Sequence, residues 1–126
     1  LAWKCTVSQV GVLQPGETLG YSRAFKATEI THYATLPVGY ADGLQRSLSL
    51  GKGAVYIRGK RCAILGSVCM DMVMVELGDL QISPGEEAVL IGPEQSAETM
   101  AKHAGTISYE ILTGLGARIP RLYLQD

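Results

Sequence analysis

Six of the eight aromatic residues in this 126-residue chain are tyrosines, and three stand beside glycine or among polar residues: Gly20-Tyr21-Ser22, Gly39-Tyr40-Ala41-Asp42-Gly43 and Ser108-Tyr109-Glu110. A phenol offers a ring for packing and a proton for transfer. It acts as a general base only where cations or hydrogen bonds stabilise its phenolate. Arg23 lies two residues from Tyr21 and shares its face if that segment is extended. The same tyrosines would equally suit a barrel wall with their hydroxyls at its rim, and residue type alone leaves both readings open. Cys69-Met70-Asp71 follows Leu65-Gly66-Ser67-Val68, where the glycine permits a bulge and a close backbone approach. A cysteine nucleophile would need an activating histidine, and neither His32 nor His103 adjoins it in sequence. Asp42, Asp71, Glu76 and Glu110 show no spacing that pairs carboxylates, and the sequence carries no phosphate loop, nucleophile elbow or metal-binding cluster.

The elements that must position these groups are mostly short strands. Apolar and β-branched runs between turn signals predict strands at Thr6–Leu13, Thr31–Pro37, Ala54–Ile57, Arg61–Leu65, Met72–Leu77 and Glu87–Gly92. Gln14-Pro15-Gly16-Glu17 and Ser83-Pro84-Gly85-Glu86 fit type II turns, with proline setting φ near −65° and glycine taking the positive φ. Arg58-Gly59-Lys60-Arg61 reads as a tight hairpin and Leu77-Gly78-Asp79-Leu80 as another turn. The period then changes. Ala97, Met100, Ala101 and Ala104 recur at helical spacing between Ser96, a good N-cap, and Gly105. Thr106 is a candidate cap for a second helix over Ile107, Ile111, Leu112 and Leu115. Arg118–Tyr123 reads as extended, because Pro120 stops a helix. The expected fold is mainly β: a small Greek-key-like β-barrel with one or two short C-terminal helices, forming a single domain over residues 1–126.

Composition narrows the partners. With 47% hydrophobic and 18% charged residues the chain can fill a packed core. Its formal charge of −1 gives no field to hold nucleic acid or anionic lipid, so neither is expected as a partner. Cys5, Cys62 and Cys69 are odd in number and lack C-x-x-C spacing, which predicts reduced thiols and a cytoplasmic location. The chain opens on Leu1 and carries no signal-peptide pattern; the expectation is a piece cut from a longer protein.

Five blocks in fixed order resemble the C-terminal domain of the pyridoxal-phosphate-dependent alanine racemases. They are Pro15-Gly16-Glu17 leading to Gly20-Tyr21-Ser22-Arg23-Ala24-Phe25; Leu36-Pro37-Val38-Gly39-Tyr40-Ala41-Asp42-Gly43 with Arg46; Gly66-Ser67-Val68-Cys69-Met70-Asp71; Ile107-Ser108-Tyr109-Glu110-Ile111-Leu112; and Arg118-Ile119-Pro120-Arg121. The resemblance implies an N-terminal (β/α)8 barrel holding pyridoxal 5′-phosphate on a lysine. A chain this short cannot contain such a barrel of ~250 residues, and none of Lys4, Lys26, Lys52, Lys60 and Lys102 matches that lysine. The domain alone is therefore expected to be inactive. The resemblance also implies that Tyr21 is the base on the L-substrate face, working in the active site of the second subunit of a homodimer. It gives the Met70 N–H to the substrate carboxylate and Tyr109 to the cofactor phosphate, with Tyr40 narrowing the entrance. For Asp42, Arg46 and Asp71 the resemblance implies a part in orienting loops or lining the entrance corridor, and a plain structural turn or surface charge is the other reading of each. Ser67 stands where many members carry arginine. The substrates implied are L- and D-alanine, for peptidoglycan synthesis. A serine or broad-specificity racemase shares these motifs, and a non-catalytic β-barrel of the translation-factor type remains a reading from another class.

Overall fold

The computed structural model describes residues 2–19 and 25–115. Among these residues nine strands and two helices follow one another: β1 (Trp3–Thr6), β2 (Gln9–Leu13), β3 (Thr18–Leu19), β4 (Phe25–Lys26), β5 (Thr31–Leu36), β6 (Ala54–Ile57), β7 (Lys60–Leu65), β8 (Val73–Glu76), β9 (Glu87–Ile91), α1 (Ala97–Ala104) and α2 (Ser108–Thr113). Two single-turn 3-10 helices, Tyr40–Asp42 and Arg46–Leu48, interrupt the long connection from β5 to β6.

Seven strands form one antiparallel sheet in the order β1-β9-β6-β7-β8-β5-β2, and β3 pairs separately with β4. Within that order β9-β6-β7-β8 is a Greek key: three successive strands lie side by side and the fourth returns beside the first. The sheet curls because two segments serve two neighbours each. Residues 60–63 of β7 pair with β6, whereas Ile64 and Leu65 pair with β8. Likewise the continuous stretch Trp3–Leu13 supplies both outer strands, β1 against β9 and β2 against β5. Between them the Val7 N–H donates to the Glu86 carbonyl, and the Ser8 N–H donates to the Thr35 carbonyl, so the chain crosses from one edge of the sheet to the other without losing its bonds. The alternation over Thr6–Leu13 that reads as one strand is therefore two strands joined at a corner, and β1 begins earlier than the pattern predicts.

Both Pro-Gly pairs make the predicted turns. Gly16 and Gly85 have φ of +90° and +96°. In each turn the glutamate that follows glycine bends back to accept the backbone N–H of the turn's first residue, Gln14 for Glu17 and Ser83 for Glu86. Arg58 and Gly59 take positive φ together, the type I′ geometry of a two-residue hairpin. Leu36, Leu44, Leu48, Ile57, Ile64, Leu90, Met100 and Ile111 are among the fully buried side chains of one core shared by sheet, loop and helices. Each buried aliphatic side chain of this kind contributes roughly 1.5–3 kcal/mol.

Gln95 is one of the polar residues buried beside that core: its Nε2 donates to the carbonyls of Ala54 and Leu90, tying the start of α1 to β6 and β9. Helix α1 begins as predicted, with the Ser96 hydroxyl accepting the Thr99 N–H, and ends at Gly105 in the left-handed conformation. Helix α2 differs from expectation, since its N-cap is Ile107 and no side chain caps it. Thr106 instead donates its N–H to the Ala101 carbonyl, so it closes α1 and leaves the second helix uncapped. The predicted extended segment Arg118–Tyr123 lies outside the described residues.

Candidate functional site

The site is built from two loops that grip each other. One runs through Gly39–Arg46 and the other through Val68–Met72. Val38 and Leu44 are buried, which anchors the first loop at both ends. Gly39 sits against the second loop so closely that a Cβ there would lie 2.1 Å from the Cys69 carbonyl oxygen and 2.4 Å from that of Met70. Only a residue without a side chain allows this approach. The contact lets the Tyr40 N–H donate to the Cys69 carbonyl at 2.9 Å and the Ala41 N–H donate to the Met70 carbonyl at 3.1 Å. From the other side the Ser49 hydroxyl accepts the Val68 N–H at 2.8 Å. The Cys69 N–H donates to the Met72 carbonyl. Gly66, with φ of +63°, makes the bend expected of it and offers its carbonyl to the Leu50 N–H.

The N–H groups of Val68 and Cys69 and the carbonyls of Cys69 and Met70 are thus committed, and the Met70 N–H meets no acceptor among the described residues. Met70 itself is half exposed. An amide without an acceptor, held in place by bonded neighbours, suits a small anion such as a carboxylate.

Asp42, expected either to orient its loop or to line the corridor, is only 4% exposed. Its carboxylate accepts the Gly39 N–H at 3.1 Å, and its own N–H donates to the Gly39 carbonyl. That places it inside the loop, as a brace. Tyr40 stands at the surface, with the Arg46 guanidinium carbon 5.6 Å from its ring centroid, a cation–π contact that couples two of the sequence-predicted residues. Asp71 is exposed beside Met70. Tyr109 lies in the first turn of α2 with its side chain largely exposed. The far end of the same helix abuts the first loop, since a Cβ on Gly43 would meet the Gly114 carbonyl at 2.4 Å. The Ser47 hydroxyl ties that loop to α1 through the Ala104 carbonyl. Tyr40, Asp42, Arg46, Met70 and Asp71 therefore gather around one loop pair, with α2 docked on it. Tyr21, Ser22 and Arg23 lie outside the described residues.

Sequence reading missed Gly39 and Ser49 as parts of this site. Gly39 had a visible signal in its motif, but what demands glycine is a neighbour thirty residues away. The cysteines are poor nucleophiles where they can be judged: burial pushes the Cys5 thiol up to about 12 and raises Cys62 as well. Among the described residues no group of His, Cys, Asp and Glu could hold a metal, and no helix is long and apolar enough to cross a membrane.

This architecture is that of a known domain. The sequence profile of the family described as "Alanine racemase, C-terminal domain" matches residues 1–123. The alanine racemase of Cutibacterium acnes is 46% identical over 98% of this chain and 34% of its own length, and that of Clostridium kluyveri 43% identical over 97% and 32%. The structure of alanine racemase from Streptomyces coelicolor A3(2) superimposes with a TM-score of 0.91 at 36% identity, covering 99% of this chain and 33% of that one. Alanine racemase from Bartonella henselae, with covalently bound pyridoxal phosphate, gives 0.89 at 38% identity over 96% and 34%. The chain belongs to the alanine racemase C-terminal domain family. It spans about a third of the length of the curated relatives it matches.

Proposed function

We propose that this chain is the C-terminal domain of a pyridoxal-phosphate-dependent alanine racemase that interconverts L- and D-alanine, and that it completes the active site of a second subunit in a homodimer. The observation that carries the reading is the Met70 N–H, which meets no acceptor among the described residues while the Cys69 N–H and the carbonyls of Cys69 and Met70 around it are bonded. The domain fits the cofactor as a minor contributor. Tyr109 offers a hydroxyl on a largely exposed side chain, suited to a phosphate oxygen, whereas neither loop nor α2 carries a lysine. The principal cofactor contacts then belong to another part of the protein. When bound, pyridoxal phosphate supplies an electron sink for the bond being broken at the substrate's α-carbon.

In this reading the chain's own residues bind, orient and move a proton. The Met70 N–H holds the substrate carboxylate, fixing the α-carbon relative to Tyr21. Tyr21 takes the α-proton from the L-enantiomer and returns it in the opposite direction. Tyr40, braced by Arg46, narrows the approach, with Asp71 beside it. A cytoplasmic location and a role in peptidoglycan supply accompany this proposal. Relatives named alanine racemase favour alanine over the serine and broad-specificity readings, and nothing in the fold favours a non-catalytic barrel.

The test uses the full-length protein that carries this domain. Tyr21→Phe should suppress deuterium exchange at the α-position of L-alanine far more than that of D-alanine. Unchanged exchange from L-alanine would remove Tyr21 from the mechanism. A wild-type protein that neither binds the cofactor nor racemises alanine would overturn the whole reading.

A further inference from the structure

The two loops show how a single amide comes to be fixed from behind. A trans peptide unit holds its C=O and N–H antiparallel, so fixing one fixes the other. The peptide between Cys69 and Met70 has its carbonyl pinned by the Tyr40 N–H at 2.9 Å. The direction of the Met70 N–H is thereby set by Tyr40's backbone. A hydrogen bond accepted by the carbonyl also polarises the same peptide and strengthens its N–H as a donor. Tyr40 is in turn held by the loop's internal bracing: the Asp42 carboxylate accepts the Gly39 N–H at 3.1 Å, the Asp42 N–H returns to the Gly39 carbonyl at 2.9 Å, and the Gly43 N–H donates to the Tyr40 carbonyl. A buried carboxylate is costly to place unless its hydrogen bonds fix something. One of the groups it fixes is the Gly39 N–H, next to the peptide that grips Cys69.

We propose that Asp42 is a positioning residue for carboxylate recognition: through Gly39 and Tyr40 it aims and polarises the Met70 N–H at the substrate carboxylate. The inference rests on the racemase reading. It assigns Asp42 a role in affinity, with no direct contact to substrate and no part in proton transfer.

Its test is a split between affinity and turnover in the full-length protein, with propionate as the probe because it carries alanine's carboxylate without the amine. Asp42→Ala should raise KM for both alanine enantiomers and Ki for propionate in parallel, by about tenfold, equivalent to about 1.4 kcal/mol. The turnover number and the cofactor content should stay within about twofold, as expected when an interaction present before and during reaction is weakened equally. Asp42→Asn keeps a carbonyl oxygen for the Gly39 N–H and should restore both constants to near wild type. If Asp42→Ala does not accumulate as folded protein, Asp42→Ser, too short to reach that N–H, carries the same expectation. A folded, cofactor-loaded alanine or serine variant with unchanged propionate Ki overturns the inference. So does an asparagine variant as impaired as either of them. An inactive wild type would instead overturn the racemase reading, which keeps the two failures distinct.

Discussion

Replacing Gly39 by alanine isolates the contact on which the site depends. The new Cβ would lie 2.1 Å from the Cys69 oxygen, 2.4 Å from the Met70 oxygen and 2.6 Å from the Met70 carbonyl carbon. All three are backbone atoms, so no side chain can swing aside. An ordinary carbon–oxygen contact is about 3.3 Å, so the loops must part by roughly 1 Å. That lengthens the Tyr40–Cys69 and Ala41–Met70 hydrogen bonds past useful range. Two lost bonds at about 0.5–1.5 kcal/mol each, together with an overpacking cost of about 1–3 kcal/mol, give a loss of roughly 2–6 kcal/mol. Gly39 has φ of −155°, ordinary extended backbone, so the penalty is steric and owes nothing to backbone preference. Gly78→Ala supplies the control. Gly78 has φ of +59° and open space around its Cβ position, so alanine there costs only the left-handed penalty of about 1–2 kcal/mol. Trp3, the single tryptophan and 3% exposed, gives a fluorescence signal for urea unfolding. Gly39→Ala should unfold at clearly lower urea than Gly78→Ala. Equal midpoints, or a Gly39→Ala midpoint matching wild type, would refute the close approach of the two loops.

Two further outcomes follow from groups away from the site. Gln95→Leu, close in volume, removes the donor that Ala54 and Leu90 share and should cost about 1–2 kcal/mol in urea unfolding, while Gln95→Glu, aiming a carboxylate at two carbonyls, should cost more. Glu86 is held below its ordinary pKa, first by the Ser83 N–H and then by Arg58, whose guanidinium lies 2.6 Å away. A depressed carboxyl contributes its stability above the unfolded-state value of about 4.3 and loses it as pH falls through the folded value. Thermal melts of Glu86→Gln should accordingly lose less stability than wild type on acidification below that value, and parallel acid profiles would count against the ion pair.

Much of this was legible in the sequence because local rules governed it. Ala54–Ile57 matches its predicted bounds, and the Pro-Gly turns and the caps of α1 follow from residue chemistry alone. The short pair β3–β4 gave no periodic signal, being two residues each. The corner at Val7 and Ser8 was hidden because Val7 is buried in step with its neighbours, although its bonds go to the other side of the barrel. Thr106 looked like a cap by type, and the preceding helix used its N–H instead. At the site, the motif around Tyr40 could be seen to matter without showing why. Asp42 as an interior brace and Gly39 as a point of contact depend on Cys69 and Met70, which only tertiary structure brings near.

The double duty of Trp3–Leu13 also has a consequence in time. β2 finds its partner within the same local region, but β1 pairs with β9, whose residues leave the ribosome long after β1 has emerged. The corner at Val7 and Ser8 cannot be completed until then. Long-range closure of this kind slows folding, because the entropy of ordering the intervening chain is lost before the contacts that reward it exist. During synthesis Trp3 and its apolar neighbours must wait unpaired, so the segment that joins the two ends of the finished sheet is also the one that leaves the nascent chain longest open to misassociation.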